Sequence, residues 1–240
     1  MGSKVSVDLL IKNGQVVTAA HKEYPVRGKQ MKQLEVIDQG WVACAGDRIV
    51  AVGPADAVQS QVDITDETVI IDATGQVVTP GLIDPHTHLI FGGSREDEFY
   101  MRAQGADYMD IMAAGGGIAS SVRATRQTPL DALVAAGRQR LNWMLKMGVT
   151  TVECKSGYGL DLETELKQLE AVRILQDEQP VELVSTFLGA HAWPEEFQED
   201  QEGYVNYLIE VVLPLVRERD LAEYVDVFTE KGVFSVEQSR

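Results

Sequence analysis

From Thr79-Pro80-Gly81 onward the chain alternates short apolar runs with amphipathic helical patterns. That rhythm implies a parallel sheet covered by helices. Leu82–Asp84 is the first apolar run, followed by a long connection containing Gly115-Gly116-Gly117. Thr128-Pro129-Leu130-Asp131 is a helix start, with threonine expected to cap, proline at the first helical position and aspartate at the positive end of the dipole. Leu130, Leu133, Val134, Leu141 and Leu145 make one apolar stripe, which Gly148 ends. Val149–Val152 is the second strand. Asp161 is expected to cap a helix that carries Leu166, Leu169, Val172 and Leu175 and stops before Pro180. Val181–Leu188 is the third strand and Tyr224–Phe228 the fourth, with a helix carrying Tyr204, Leu208, Val211, Val212 and Leu215 between them.

Residues 1–80 have a different texture. Val7–Val17, Trp41–Cys44, Arg48–Val52, Thr68–Asp72 and Gln76–Val78 are rich in valine and isoleucine, as strands prefer. Asn13-Gly14 is a hairpin signal, and Gly46-Asp47 and Thr74-Gly75 mark turns. Residues 19–34 form a polar, basic surface loop. The expectation is two domains: a small all-β unit over 1–80 and an α/β unit over 81–240.

Charge and cysteine content narrow the function. Among 240 residues, 37 Asp and Glu outweigh 21 Lys and Arg, for a net charge of −16. Phosphate backbones repel such a chain, so nucleic acid is not an expected partner. Cys44 and Cys154 form no CxxC pair, so neither a disulfide framework nor a cysteine zinc site is expected. The reading is a cytoplasmic enzyme. No stretch approaches the roughly 18 apolar residues of a membrane span.

Polar residues gather just past each strand: His86, His88 and Arg95; then Glu153, Lys155 and Tyr158; then His191; then Glu230 and Lys231. In a (β/α)₈ barrel the chemistry is built at those strand ends. A dinucleotide-binding sheet is disfavoured, because no GxGxxG follows the first strand. The sharpest signal is Asp84-Pro85-His86-Thr87-His88. Residues i and i+2 of a strand share a face, so His86 and His88 can hold one divalent cation and leave positions open for water. Bound water then ionises near neutral pH.

The segment 77–88 resembles the amidohydrolase superfamily, whose first barrel strand carries such an HxH pair. Four further stretches resemble the imidazolonepropionase family within it: 91–99 (FGGSREDEF), 113–118 (AAGGGI), 152–162 (VECKSGYGLDL) and 186–192 (TFLGAHA). The resemblance runs over nearly the whole chain. It implies the first four βα units of a TIM-like (β/α)₈ barrel, preceded by part of a small β-sandwich. It implies His86 and His88 as metal ligands for one zinc or iron ion. It implies that Arg95 grips a propionate carboxylate, that Tyr108 and Tyr158 line the pocket, and that His191 bonds an imidazolone ring. The small-molecule substrate is then 4-imidazolone-5-propanoate, opened by water to N-formimidoyl-L-glutamate in histidine degradation. The full-length form is expected to be a homodimer.

The chain departs from the family pattern in one respect. That pattern adds a metal-binding histidine after the fifth strand, an aspartate after the eighth, and an acid/base in the same half. Four strands supply none of these. The expectation is the N-terminal part of a longer enzyme, inactive alone, with no catalytic acid/base among these residues. Two alternatives stay open. One is a dihydroorotase-like or deaminase-like amidohydrolase, with Lys231 near the end of the fourth strand as a second-metal residue. The other is a non-catalytic, ligand-binding half-barrel.

Overall fold

The structure, a computed structural model, describes residues 4–19, 25–107, 110–111 and 114–240. It contains two compact units, Met1–Pro80 and Gly81–Arg240.

In the first unit the described strands are β1 (Val5–Ser6), β2 (Leu9–Thr18), β3 (Glu35–Ala45), β4 (Arg48–Gly53), β5 (Val62–Asp63), β6 (Val69–Asp72) and β7 (Val77–Val78), with the helix α1 (Ala55–Gln61) and a short 3-10 helix at Gly28–Lys32 within the expected 19–34 loop. β1 and β5 form a two-stranded parallel ribbon, and the other five strands form one mixed sheet. Val7, Leu10, Ala43, Ala51, Val58 and Val62 make its core. β3 and β4 pair antiparallel across Gly46-Asp47, as a hairpin should. Asn13-Gly14 departs from expectation. β2 runs straight through it, with Asn13 at φ 64° and a register shift against β3 between Ile11 and Gly14. The physical reason lies in the partners. β2 pairs in parallel with β6 over Leu9–Lys12 and with β7 over Gln15–Val16. The irregularity between those stretches lets one strand serve both neighbours. The Thr74-Gly75 turn therefore links two strands that each pair with β2. It is closed by Asp72, whose carboxylate accepts from Thr74 N (3.1 Å) and Thr74 Oγ1 (2.7 Å).

The second unit is mixed α/β. Its strands β8 (Leu82–Thr87), β9 (Val149–Lys155), β10 (Glu182–Ala190) and β11 (Tyr224–Val227) pair in parallel and in chain order. Among the described residues the first connection carries the helices α2 (Glu96–Ala103), α3 (Ile118–Gln127) and α4 (Leu130–Lys146). Neither α2 nor α3 is announced by a long apolar period. α4 is the expected helix, although Pro129 takes the cap position and no side chain caps it. Thr128 Oγ1 donates back to Ala124 O instead, closing α3. α5 (Leu162–Glu178) starts as foreseen, Asp161 accepting from Thr164 N at 2.7 Å. Leu133, Leu141, Val152, Leu175 and Leu183 pack α4 and α5 against the sheet.

The helical stretch before β11 is not one regular helix. α6 (Gln201–Tyr207) passes through a wide π turn at Leu208–Val212 into α7 (Leu213–Glu218). Pro214 has no N–H to return to the preceding turn, and the ladder widens just before it. The buried stripe is consequently Tyr204, Leu208, Val212 and Val216, while Val211 is exposed. A final turn, α8 (Val236–Ser239), opens with a Ser235–Gln238 capping box. Among the described residues no helix is long and apolar enough to cross a membrane.

Candidate functional site

His86 stands in β8 and His88 just past it. Both line a cleft of about 390 Å³ at the ends of the parallel strands, together with Leu188, His191, Asp226 and Phe228. His88 and His191 stack with ring centroids 4.6 Å apart and 17° between planes. Tyr158 closes the cluster, 4.6 Å from the His88 ring and 5.3 Å from that of His191. The phenol in turn accepts from Arg95 Nη2 at 3.2 Å, and Arg95 Nε donates to Ser121 Oγ at 3.0 Å. Four sequence-predicted residues, His88, Arg95, Tyr158 and His191, thus form one contact chain, and His86 lines the cleft with His88 and His191. Tyr108 lies outside the described residues.

Tyr158 is flanked by glycines, yet only 9% of it is exposed. The ring is packed between His88 and Phe91. Arg95 bonds Ser121 and Tyr158 rather than the acids that follow it.

The electrostatics favour neutral imidazoles. Burial, then the nearby His191 and His86, push His88 down to about 3. Burial also lowers His191. His191 Nδ1 lies 2.8 Å from Gly157 O, and a carbonyl can only accept, so a neutral His191 carries its proton on Nδ1. Its Nε2 is left as an acceptor. His88 Nδ1 is buried and has no hydrogen-bond partner among the described residues. A neutral imidazole with an unspent nitrogen is what a metal ligand requires. Among the described residues no group of three or more His, Cys, Asp or Glu could hold a metal. The residues present therefore fit part of a metal site, two imidazoles.

Glu153 and Lys155, which the sequence places past the second strand, meet Asp226 of the cleft, which sequence reasoning passes over. The Lys155 ammonium is bonded to Glu153 Oε1 (2.6 Å) on its own strand and to Asp226 Oδ2 (2.9 Å) on β11. Burial opposes that charge, but the two carboxylates outweigh it and raise Lys155. Ser121 and Asp226 carry no local motif; only the fold brings them here. Lys231 is exposed and does not line the cleft, its backbone N–H donating to Glu230 Oε1 at 2.8 Å.

Known proteins resemble this chain in sequence and in fold. Residues 69–118 match the amidohydrolase family. The imidazolonepropionase of Alkaliphilus metalliredigens is 52% identical over 98% of this chain and 56% of its own length. The chain spans about half the length of the curated relatives it matches. Among solved structures, E. coli guanine deaminase superimposes with a TM-score of 0.59 at 13% identity, over 95% of this chain and 48% of that one. The zinc complex of atrazine chlorohydrolase from Arthrobacter aurescens gives 0.50 at 17%, over 90% and 46%. These two likenesses concern the fold.

Proposed function

Because this chain belongs to the imidazolonepropionase family of the amidohydrolase superfamily, we propose that its 240 residues carry the first part of a ring-opening amide hydrolase site. The reaction is hydrolysis of 4-imidazolone-5-propanoate to N-formimidoyl-L-glutamate. Water adds to the ring carbonyl carbon, the adjoining ring C–N bond breaks, and the freed nitrogen takes a proton. Parallel strands in chain order support reading Gly81–Arg240 as the first four units of a (β/α)₈ barrel, with Met1–Pro80 as part of a small β-sandwich domain.

His86 and His88 would hold one divalent cation, zinc or iron, since imidazole suits both. When bound, such an ion supplies a water acidic enough to ionise near neutral pH and polarises the carbonyl. The chain's own residues do the rest. Arg95 offers a planar fork to the propionate carboxylate, and its bonds to Ser121 and Tyr158 fix that fork in place. His191, protonated on Nδ1, presents Nε2 to a ring N–H. Tyr158 covers the ring-binding space and limits water. Two imidazoles are an incomplete site, so these residues are expected to bind without turning over.

One observation carries this reading: a half-buried His88 stacked on His191 and joined through Tyr158 to Arg95. Calorimetric titration with 3-(imidazol-4-yl)propanoate in the presence of Zn²⁺ tests it. Binding should occur and should disappear in Arg95→Ala and His191→Ala. A wild-type chain that ignores the ligand, or that hydrolyses the imidazolone unaided, contradicts the proposal.

A further inference from the structure

The loop Ser156–Leu160, which presents Tyr158, has an unusual backbone. Gly157 sits at φ 103° and Leu160, a branched residue, at φ 58°. A left-handed leucine costs on the order of 1 kcal/mol, so something must hold it there. The hydrogen-bond accounting identifies what does. All five backbone N–H groups of the loop are satisfied. Ser156 N bonds Thr186 O on β10. The other four go to two side chains of α5. Glu165 accepts from Gly157 N (3.1 Å), Gly159 N (2.9 Å) and Leu160 N (2.8 Å), while Gln168 Oε1 accepts from Tyr158 N (3.2 Å).

Glu165 and Gln168 are three positions apart on one helix face, so they act as a single clamp. Both are fully or almost fully buried. A carboxylate buried at that depth survives only with multiple donors, and here the loop supplies them. The Ser156 hydroxyl donates to Glu165 as well, and accepts from Leu188 N at 2.9 Å. Gln168 Nε2 donates to Ile90 O at 2.7 Å, two residues past His88. The clamp therefore ties three segments together: the end of β10, the loop after β9, and the chain leaving β8. Those segments carry His191, Tyr158 and His88.

We infer that Glu165 and Gln168 are positioning residues: neither lines the cleft, yet together they set where Tyr158 stands against His88, His191 and Arg95. That Tyr158 meets a carboxylated imidazole there rests on the function proposed above. The positioning itself does not.

Hydrogen exchange of the 240-residue chain, followed by peptide mass, is the test. Glu165→Gln keeps the volume but turns N–H₂ donors toward loop N–H groups. It should speed exchange of the 157–160 amides about ten-fold or more, given the strength of bonds to a charged acceptor, and leave β9, β10 and α4 unchanged. Gln168→Leu, which disturbs no charge, should free the Tyr158 amide. In both variants Zn²⁺ uptake should match wild type, while affinity for 3-(imidazol-4-yl)propanoate falls about ten-fold. A role confined to stability would not split the two ligands in this way. Unchanged exchange at 157–160 overturns the inference. So does acceleration spread across the whole 81–240 unit in both variants, which would make the pair ordinary core residues. Should the wild-type chain fail to bind the imidazole ligand, the ring-opening reading falls, and the exchange pattern alone still decides the clamp.

Discussion

His88 and His191 stack at 4.6 Å although they leave strands β8 and β10, which are not neighbours in the sheet. β9 lies between, and its following loop brings Tyr158 against both rings. Two imidazoles at this separation cannot both be charged without repelling, and burial penalises either charge. The stack therefore favours neutral rings.

That arrangement has a sign in pH. His88 stays neutral when folded down to about 3, against an ordinary value of 6.5. Between those limits the unfolded chain binds a proton that the folded chain refuses. Stability therefore rises with pH in this window and is lost as pH falls from 6.5 towards 3. In metal-free buffer, His88→Asn should flatten the slope of stability against pH near pH 5 by about 1.4 kcal/mol per unit, the worth of one proton. Urea titrations across that range read it, and equal slopes in the two proteins would speak against a neutral His88.

Arg95 predicts a separable effect. Its guanidinium bonds Ser121 and Tyr158 at once, a geometry that an ammonium cannot reproduce. Arg95→Lys should weaken binding of 3-(imidazol-4-yl)propanoate about 10- to 100-fold while moving the unfolding midpoint little. Retained affinity in calorimetry would remove Arg95 from the carboxylate site.

Gly137 lies inside α4, where alanine is ordinarily preferred by about 1 kcal/mol. Here the preference should reverse. An added Cβ would stand 2.6 Å from Leu175 Cδ1 and 2.7 Å from Ile90 Cδ1, at the meeting of α4, α5 and the chain past β8. Gly137→Ala should cost about 1–3 kcal/mol in urea unfolding. A stabilised variant would mean that these layers pack less closely.

What the sequence discloses follows from the range of each interaction. Asp161 is visible as a cap because its acceptor and donor are three residues apart. The HxH pair is visible because strand period alone puts both rings on one side. Asn13-Gly14 misleads, since a dipeptide cannot report that one strand has two parallel partners. The π turn before Pro214 shifts the apolar period, and with it the buried face from Leu215 to Val216. Ser121, Asp226 and Glu165 have no local signature. They bond groups on other segments, and only the folded chain shows that they share a neighbourhood.

The central claim is that His86 and His88 hold a divalent cation, and Zn²⁺ binding by equilibrium dialysis addresses it most directly. The wild-type chain should take up about one Zn²⁺, weakly for want of further ligands, and His86→Ala/His88→Ala should take up none. Uptake that is equal in the wild type and the double variant would place the metal elsewhere and contradict the account.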